Sequence, residues 1–575
     1  MLAIAGFVWL GMPVSRSHLT ESGMRASLSK AGRLLRTVRY LRPGQISDRV
    51  ARRLRAAPKV GGPVPPLRAV TAGWTPCAGR SPSLVGPSRF RFLAREADLD
   101  GLAGWNDASM PKLWLYNLHY FDDLLADGAA TRQAWHLALV DRWINDNPPL
   151  AGNGWEPYTL SRRIVNWIAA ALAGLPLDEK ARESLARQTR ALAGMLEFHL
   201  LGNHLFANAK ALIFAGAYFS GPEAERWLNT GLAIMARELD EQVLADGGHF
   251  ELSPMYHALI LEDAIDLVQL AAVYPDALGR AAADQDWAGR AARMIDWLAA
   301  MSHPDGEIAF FNDAAFGQAR NLAQLCAYAG RAGISAAPSP PALAHLADSG
   351  YVRLREGPWC VFFDAAPVGP DYIPGHAHAD TLSLEISLAG ARLITNTGTS
   401  TYAPGPEREA ERATSAHATV ELDGANSSEV WASFRVGRRA RPASVSTKVA
   451  GGALHARGAH DGYRFLAGRP VHARDVRVTA GAVSIVDRIE GGGRHAAVGR
   501  FPLHPDVDRV EQIEGGFRLV MPDGRAVRVA VAGADALAIE QGHYAPEFGI
   551  CRPRPVLVWR AARDLPIEVT VEFLA

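Results

Sequence analysis

The chain has 575 residues, 48% apolar and 21% charged, and its 60 basic and 60 acidic side chains give a formal net charge of zero. That length exceeds what one hydrophobic core organises and implies two to four domains. Balanced charge argues against nucleic acid as the main partner, although a local cluster of arginines can still hold an anion.

In chain order, the apolar run Leu2–Val14 is too short to span a bilayer and has no basic residue ahead of it as a secretory signal would. Met24 is an alternative start. No transmembrane segment is expected, and the compartment is cytoplasmic by default. Residues 1–99 read as a basic helical lead-in followed by a Pro/Gly-rich wrap from 57 to 90. The lead-in carries Arg33, Arg36, Arg39, Arg42, Arg49, Arg52, Arg53 and Arg55 on a helix with a thin apolar face. A solvated helix fits that better than a membrane- or partner-binding one.

Residues 100–335 are helical by periodicity, over Ala130–Asp146, Thr159–Ala173, Asp178–Leu201, Leu205–Phe219, Pro222–Leu244, His257–Val273 and Ala281–Met301. Successive helices with short Gly/Pro connections imply antiparallel hairpins in a solenoid or an incomplete α/α toroid, and the lack of a fixed-period repeat favours the toroid. Residues 336–349, with Pro338, Pro340 and Pro341, read as a linker. From 350 to 575 short alternating segments separated by Gly, Pro, Asn and Asp turns predict an antiparallel β-sandwich, among them Ser383–Ser387, Arg392–Thr395, Ala418–Asp423 and Val476–Asp487. The four cysteines, Cys77, Cys326, Cys360 and Cys551, form no CxxC pair, so neither a disulfide framework nor a thiolate zinc site is indicated. A cleft between the two halves is the expected ligand site.

Several stretches carry more chemistry than packing needs. Leu113–Phe121 interleaves aromatics with Asn117, His119 and Tyr120, a mixture suited to sugar rings. Arg162 and Arg163 open a helix and can hold a carboxylate. Asn203 and His204 stand where a helix begins, with Asn208 close behind. Asp246–His257 crowds His, Glu and Tyr ahead of another helix, and Tyr256 can act in proton transfer, with His257 beside it. In Pro374–Asp380 the imidazoles of His376 and His378 stand at i and i+2, on one side of an extended backbone that Asp380 continues. His417 precedes a later strand.

Taken together these stretches resemble the heparinase II/III-like polysaccharide lyases over roughly residues 100–575, and in particular members linked to bacterial exopolysaccharide or capsule genes. The Asn-His pair, the Ser-Pro followed by Tyr-His, the Gly-His-x-His-x-Asp and the later His occur in the family's order. The resemblance implies an incomplete α/α toroid followed by a β-sandwich, and β-elimination at a uronic acid of an anionic polysaccharide. It assigns carboxylate neutralisation to Asn203 with His204, and proton transfer to Tyr256 and His376. Arg162 or Arg163 would clamp the carboxylate, and Asn117, His119, Tyr120, Asn208 and His257 would line subsites. Such a substrate would also suit a periplasmic location. No cofactor is required for the chemistry. Family members bind a structural zinc through two His and an Asp; His378 and His417 match the histidines, but Asn396 stands where the Asp is expected, and an amide oxygen is a poor zinc ligand.

Three competing readings remain. A glycoside hydrolase on the same kind of helical scaffold needs two facing carboxylates; Glu156, Asp246, Glu251 and Asp313 are candidates that nothing in the sequence pairs. A His-x-His-x-Asp-His metallohydrolase lacks its last ligand at Thr381. A catalytically degenerate polysaccharide-binding or assembly protein would have no use for a proton-transferring Tyr.

Overall fold

The computed structural model describes residues 21–575. The run Leu2–Val14 lies outside the described residues. Two helices lead, α1 (Glu21–Val38) and α2 (Pro43–Leu54). An extended stretch follows, ending in the hairpin β1 (Arg89–Phe92) and β2 (Arg95–Asp98). Ten helices come next: α3 (Lys112–Tyr120), α4 (Gln133–Asp146), α5 (Pro157–Leu172), α6 (Glu179–Gly194), α7 (Gly202–Tyr218), α8 (Pro222–Gln242), α9 (Pro254–Val273), α10 (Pro275–Asp284), α11 (Trp287–Ala300) and α12 (Leu322–Arg331).

Helix α7 is the centre of this half because it is apolar nearly all round, and every residue but His204 is buried. It packs very closely on α8: a Cβ on Gly216 would lie 2.5 Å from the Leu228 amide nitrogen, and one on Gly231 would lie 2.9 Å from the Ala209 carbonyl. Two expected helices have other bounds. Asp178–Leu201 stops at Gly194, because residues 195–201 fold into a turn in which the Glu197 amide donates to Asn208 Oδ1 at 2.8 Å. Ala281–Met301 is broken at Asp286, whose φ of 49° no helix accommodates.

The second half is antiparallel sheet. Strands β3 (Leu343–Leu346), β4 (Tyr351–Glu356), β5 (Trp359–Asp364), β6 (Leu384–Leu388) and β7 (Ala391–Ile394) form a five-stranded sheet in sequence order. Strand β3 thus occupies part of the stretch expected as linker, pairing with β4 from Leu343↔Leu354 to Leu346↔Tyr351. An eight-stranded and a four-stranded sheet follow. The expected segment Val476–Asp487 is a hairpin of two strands, Val471–Val478 and Ala482–Glu490, turned where the Thr479 amide donates to the Ala482 carbonyl. Ala482–Glu490 alternates buried and half-buried residues along its length. One core joins all three sheets, with Val361 and Ile386 from the first, Ile485 and Val571 from the second, and Phe501 and Trp559 from the third.

The basic lead-in is largely exposed, as expected of a solvated helix, but one face finds partners on both halves. Arg36 donates to both Glu429 oxygens at 2.8 and 2.7 Å, Arg42 pairs with Glu241, Arg52 lies 2.9 Å from His199 Nδ1, and Gln45 donates to the Tyr372 carbonyl at 3.3 Å. The Pro/Gly-rich stretch runs along the helical half, where the Arg68 amide meets the Tyr218 carbonyl and the Thr71 amide meets that of Val273.

Candidate active site

Tyr256 owes its position to Ser253-Pro254. Ser253 caps α9 by accepting from the Tyr256 amide at 3.2 Å, and Pro254 takes the position that needs no donor. The phenol therefore stands in the first turn, 3.0 Å from the Tyr402 hydroxyl. Burial, then Tyr402 and the Asp313 carboxylate, push its pKa well above the ordinary value. Asn203 sits in the first turn of α7, and its amide nitrogen is 3.4 Å from Glu251 Oε1. No hydrogen bond to the Asn203 side chain occurs among the described residues. The other Glu251 oxygen has no hydrogen-bond partner and lies 3.4 Å from His376 Nε2, an ion contact rather than a hydrogen bond. Burial raises the pKa of Glu251.

The sheet half supplies His376, whose ring stacks on Tyr256 with centroids 3.8 Å apart. His376 and His378 do project to one side, and both meet the same group: His376 Nδ1 is 2.9 Å from Asp313 Oδ2, and His378 Nε2 is 2.9 Å from Asp313 Oδ1. Asp380 instead accepts from the Asn312 amide at 3.2 Å. Arg408, in the short helix α13 (Pro406–Arg412), grips both Asp313 oxygens. Burial would raise the Asp313 pKa, but Arg408 and the two histidines hold it well below the carboxylate range. Asp313 had a sequence role only as a hydrolase carboxylate, and Arg408 had none. The signal was Asn312-Asp313, a polar pair inside the apolar run Phe310–Phe316.

Around this centre the aromatic line continues. His204 is 4.7 Å from Tyr158 between centroids, and Tyr158 stands edge-on to Tyr120 at 6.0 Å. Burial would lower the His204 pKa, but Glu197, 3.2 Å away, raises it. Arg162 donates to Asp122 at 3.2 Å and keeps part of its side chain exposed.

Four expected subsite residues are buried in the scaffold, and a fifth, Asn117, is half-buried. His119 is fully buried and accepts from Trp143 Nε1 at 2.9 Å, and burial pushes its pKa down to about 3. Arg163 is buried against Trp143 and donates to Gln188, the His119 carbonyl and the Gly154 carbonyl. Asn208 bonds Ser161 and Glu197. His257 lies within 2.8 Å of the Met294 carbonyl and accepts from the His249 amide. Asn117 returns its amide to the Leu113 carbonyl one turn back.

The residues expected at a metal bring two histidines together but no carboxylate. His378 and His417 are near each other, with ring centroids 5.2 Å apart, and His378 Nδ1 and both His417 nitrogens are buried without partners. The third member, Asn396, directs its oxygen to the Ala418 amide and leaves its NH2 unpartnered. Arg554, bonded to the Asn396 carbonyl, already brings positive charge to His417. Among the described residues no three His, Cys, Asp or Glu side chains converge as a metal site.

Comparison with known proteins matches residues 132–331 to the heparinase II/III N-terminus and residues 338–570 to the heparinase II/III-like C-terminal domain. The chain belongs to the heparinase II/III-like family. FtsZ-localized protein C of Caulobacter vibrioides is 30% identical over 354 residues, 58% of this chain and 56% of that protein. The heparin-sulfate lyase of Bacteroides thetaiotaomicron is 41% identical over 152 residues, 24% of this chain and 21% of the lyase. The chain thus spans little more than half the length of the first relative and about a fifth of the second. The structure of heparinase III shares the fold, with a TM-score of 0.68 at 18% identity over 83% of this chain and 80% of that one. A heparan sulfate lyase HepC mutant from Pedobacter heparinus gives 0.58 at 18% identity over 85% and 81%.

Proposed function

We propose that this heparinase II/III-like chain cleaves an anionic, uronate-containing polysaccharide by β-elimination, in bacterial exopolysaccharide or capsule metabolism. The helical half is read as an incomplete α/α toroid and the sheets as a β-sandwich, with substrate held between them. The observation that carries the reading is the 3.8 Å stack of Tyr256 on His376, two groups from opposite halves able to transfer protons, with Glu251 reaching both His376 and the Asn203 backbone amide.

The C5 proton of a uronate is weakly acidic because its carboxylate is already charged. A hydrogen bond from Asn203, supported by His204, lets the C5 carbanion delocalise into that carboxylate. The C5–H bond breaks, the C4–C5 double bond forms, and the C4–O bond breaks with protonation of the departing oxygen. Asp313 holds the His376 ring at Nδ1, as the carboxylate of a catalytic triad orients its imidazole, and leaves Nε2, on the Glu251 side, as the base. Tyr256, whose phenol is held protonated, serves as acid. The step needs no metal.

Incubation with a panel of uronic-acid polysaccharides should release unsaturated, ultraviolet-absorbing ends, and Tyr256→Phe and His376→Ala should each abolish that release without unfolding the chain. Wild-type rates in both variants would sink the assignment. New reducing ends without unsaturation would mean hydrolysis. That outcome is disfavoured because Lys112 and Tyr116 engage Glu156, Ser349 engages Asp246, and Arg408 engages Asp313. Binding without any cleavage would point to the assembly reading, which the FtsZ-localized relative favours.

A further inference from the structure

Helix α2 lies across both halves of the molecule. Gln45, Arg49 and Arg52, at i, i+4 and i+7, share one face. Its first member donates to the Tyr372 carbonyl in the segment leading to His376. Its last lies 2.9 Å from His199 in the turn before Asn203. Arg49 stands between these two anchors, half-buried, with no hydrogen bond or ion pair to it among the described residues. On the sheet half, Arg435 is also half-buried and also lacks a carboxylate among the described residues. Its guanidinium rests over Trp431 at 4.8 Å, and the residue before it, Phe434, packs 6.2 Å from the His376 ring. The one acid on that turn of α2, Asp48, is engaged by Arg55 at 3.3 Å and by His199 at 3.6 Å. Burial lowers the pKa of both guanidinium groups, and the charge of Arg49 lowers that of Arg435 further.

Two like charges partly removed from water in one region without a counter-ion are costly. Elsewhere the lead-in spends its arginines on carboxylates: Arg33 and Arg36 on Glu429, and Arg42 on Glu241. We propose that Arg49 and Arg435 form an anion subsite, taking the carboxylate or sulfate of an acidic sugar unit that flanks the one held between Asn203 and His376. The ligand supplies the missing counter-charge, and because the two arginines come from different segments it also ties α2 to the sheet half. The inference rests on the reading that an anionic polysaccharide occupies this cleft, but not on its being cut.

The test uses the full chain in a Tyr256→Phe background, so that no probe is cleaved. Fluorescence polarisation reads Kd for labelled octamers of heparan sulfate, of galacturonate and of neutral maltose. Arg49→Gln and Arg435→Gln should each weaken acidic binding about tenfold and flatten its salt dependence. Maltose binding and the melting temperature should not fall. The distant exposed Arg280→Gln should change nothing. Loss confined to heparan sulfate identifies a sulfate ligand; loss on both acidic probes identifies a carboxylate. Unchanged acidic Kd values in both variants overturn the subsite, as does equal loss on maltose, or a parent chain that binds neither acidic octamer more tightly than the neutral one. Arg49-dependent binding by a wild-type chain that never yields unsaturated product leaves the subsite standing while the lyase reading falls.

Discussion

Asp313 accepts from Arg408 on both oxygens and meets one ring nitrogen each of His376 and His378, with Asp313, Arg408 and His378 closed to water. Its removal should therefore act differently from removal of the proposed proton-transfer group, Tyr256. Asp313→Asn leaves Arg408 as an uncompensated buried charge, at a cost on the order of 3 kcal/mol. Urea denaturation should show that loss together with a fall in turnover, whereas Tyr256→Phe should lower turnover with its denaturation midpoint unchanged. A second residue-scale prediction concerns His119 and His257, whose pKa values burial pushes down to about 3 in each case. The unfolded chain takes up these protons near pH 6.5 and the folded chain does not, so stability is full above that pH and falls on acidification toward 3. The slope is about 1.4 kcal/mol per pH unit per histidine. Melting temperatures between pH 7 and 4 should show this descent, and His257→Gln should make it shallower. An unaltered slope in the variant would show that other groups set it. Both histidines looked like subsite residues because a sequence displays residue type and spacing but not which side of a helix is enclosed. His119 faces Trp143 inside the helical core, whereas Tyr120, one residue on, stands near Tyr158.

Elements were more legible than their junctions. The apolar repeat of α7 and the alternation in Ala482–Glu490 are direct consequences of 3.6- and 2-residue periods. The breaks at Gly194 and Asp286 were not legible, since they depend on partners far away in sequence or on a single left-handed residue. The segment from Pro374 to Ser383 is likewise no strand; β6 begins only at Leu384, and the histidines are held by Asp313 and Asn312 instead of by a ladder. In the loop after β7, Asn396 accepts from the Ala418 amide, next to His417, and Arg554 is bonded to its carbonyl. A carboxylate there would add an anionic donor and offset the Arg554 charge. Asn396→Asp should thus create zinc binding, visible as a rise in melting temperature on adding the ion and as binding heat in calorimetry. The wild-type chain should melt at the same temperature with or without a chelator. A chelator-sensitive wild type would show that an amide suffices at this position.

The helical core also takes in Tyr544 and Phe548 from the sheet half, the three sheets share a second core, and a third, smaller cluster joins the halves. It sets Leu252, Trp297, Met301 and Phe311 from the helical half against Tyr351 and Phe362 from the five-stranded sheet, and the Tyr351 hydroxyl donates to the Leu252 carbonyl at 2.6 Å. Leu252 precedes the Ser253 cap of α9 and Phe311 precedes Asn312-Asp313, so this cluster also sets the distance between Tyr256 and His376. Phe311 is fully buried, 5.2 Å from the Tyr351 ring. Truncation to Ala should cost about 3–5 kcal/mol. Because the loss falls on the junction and not on either core, it should separate events that are coupled in the wild type. Calorimetry of the wild-type chain should show one unfolding transition, and Phe311→Ala should show two. Turnover should fall well below the lower transition, since the Tyr256–His376 stack depends on the junction while each half remains folded. A truncation of similar size inside one core, Leu212→Ala in α7, supplies the control: it should lower the whole transition without splitting it. If Phe311→Ala instead melts in a single step with wild-type turnover up to that temperature, the junction does not set the geometry of the site.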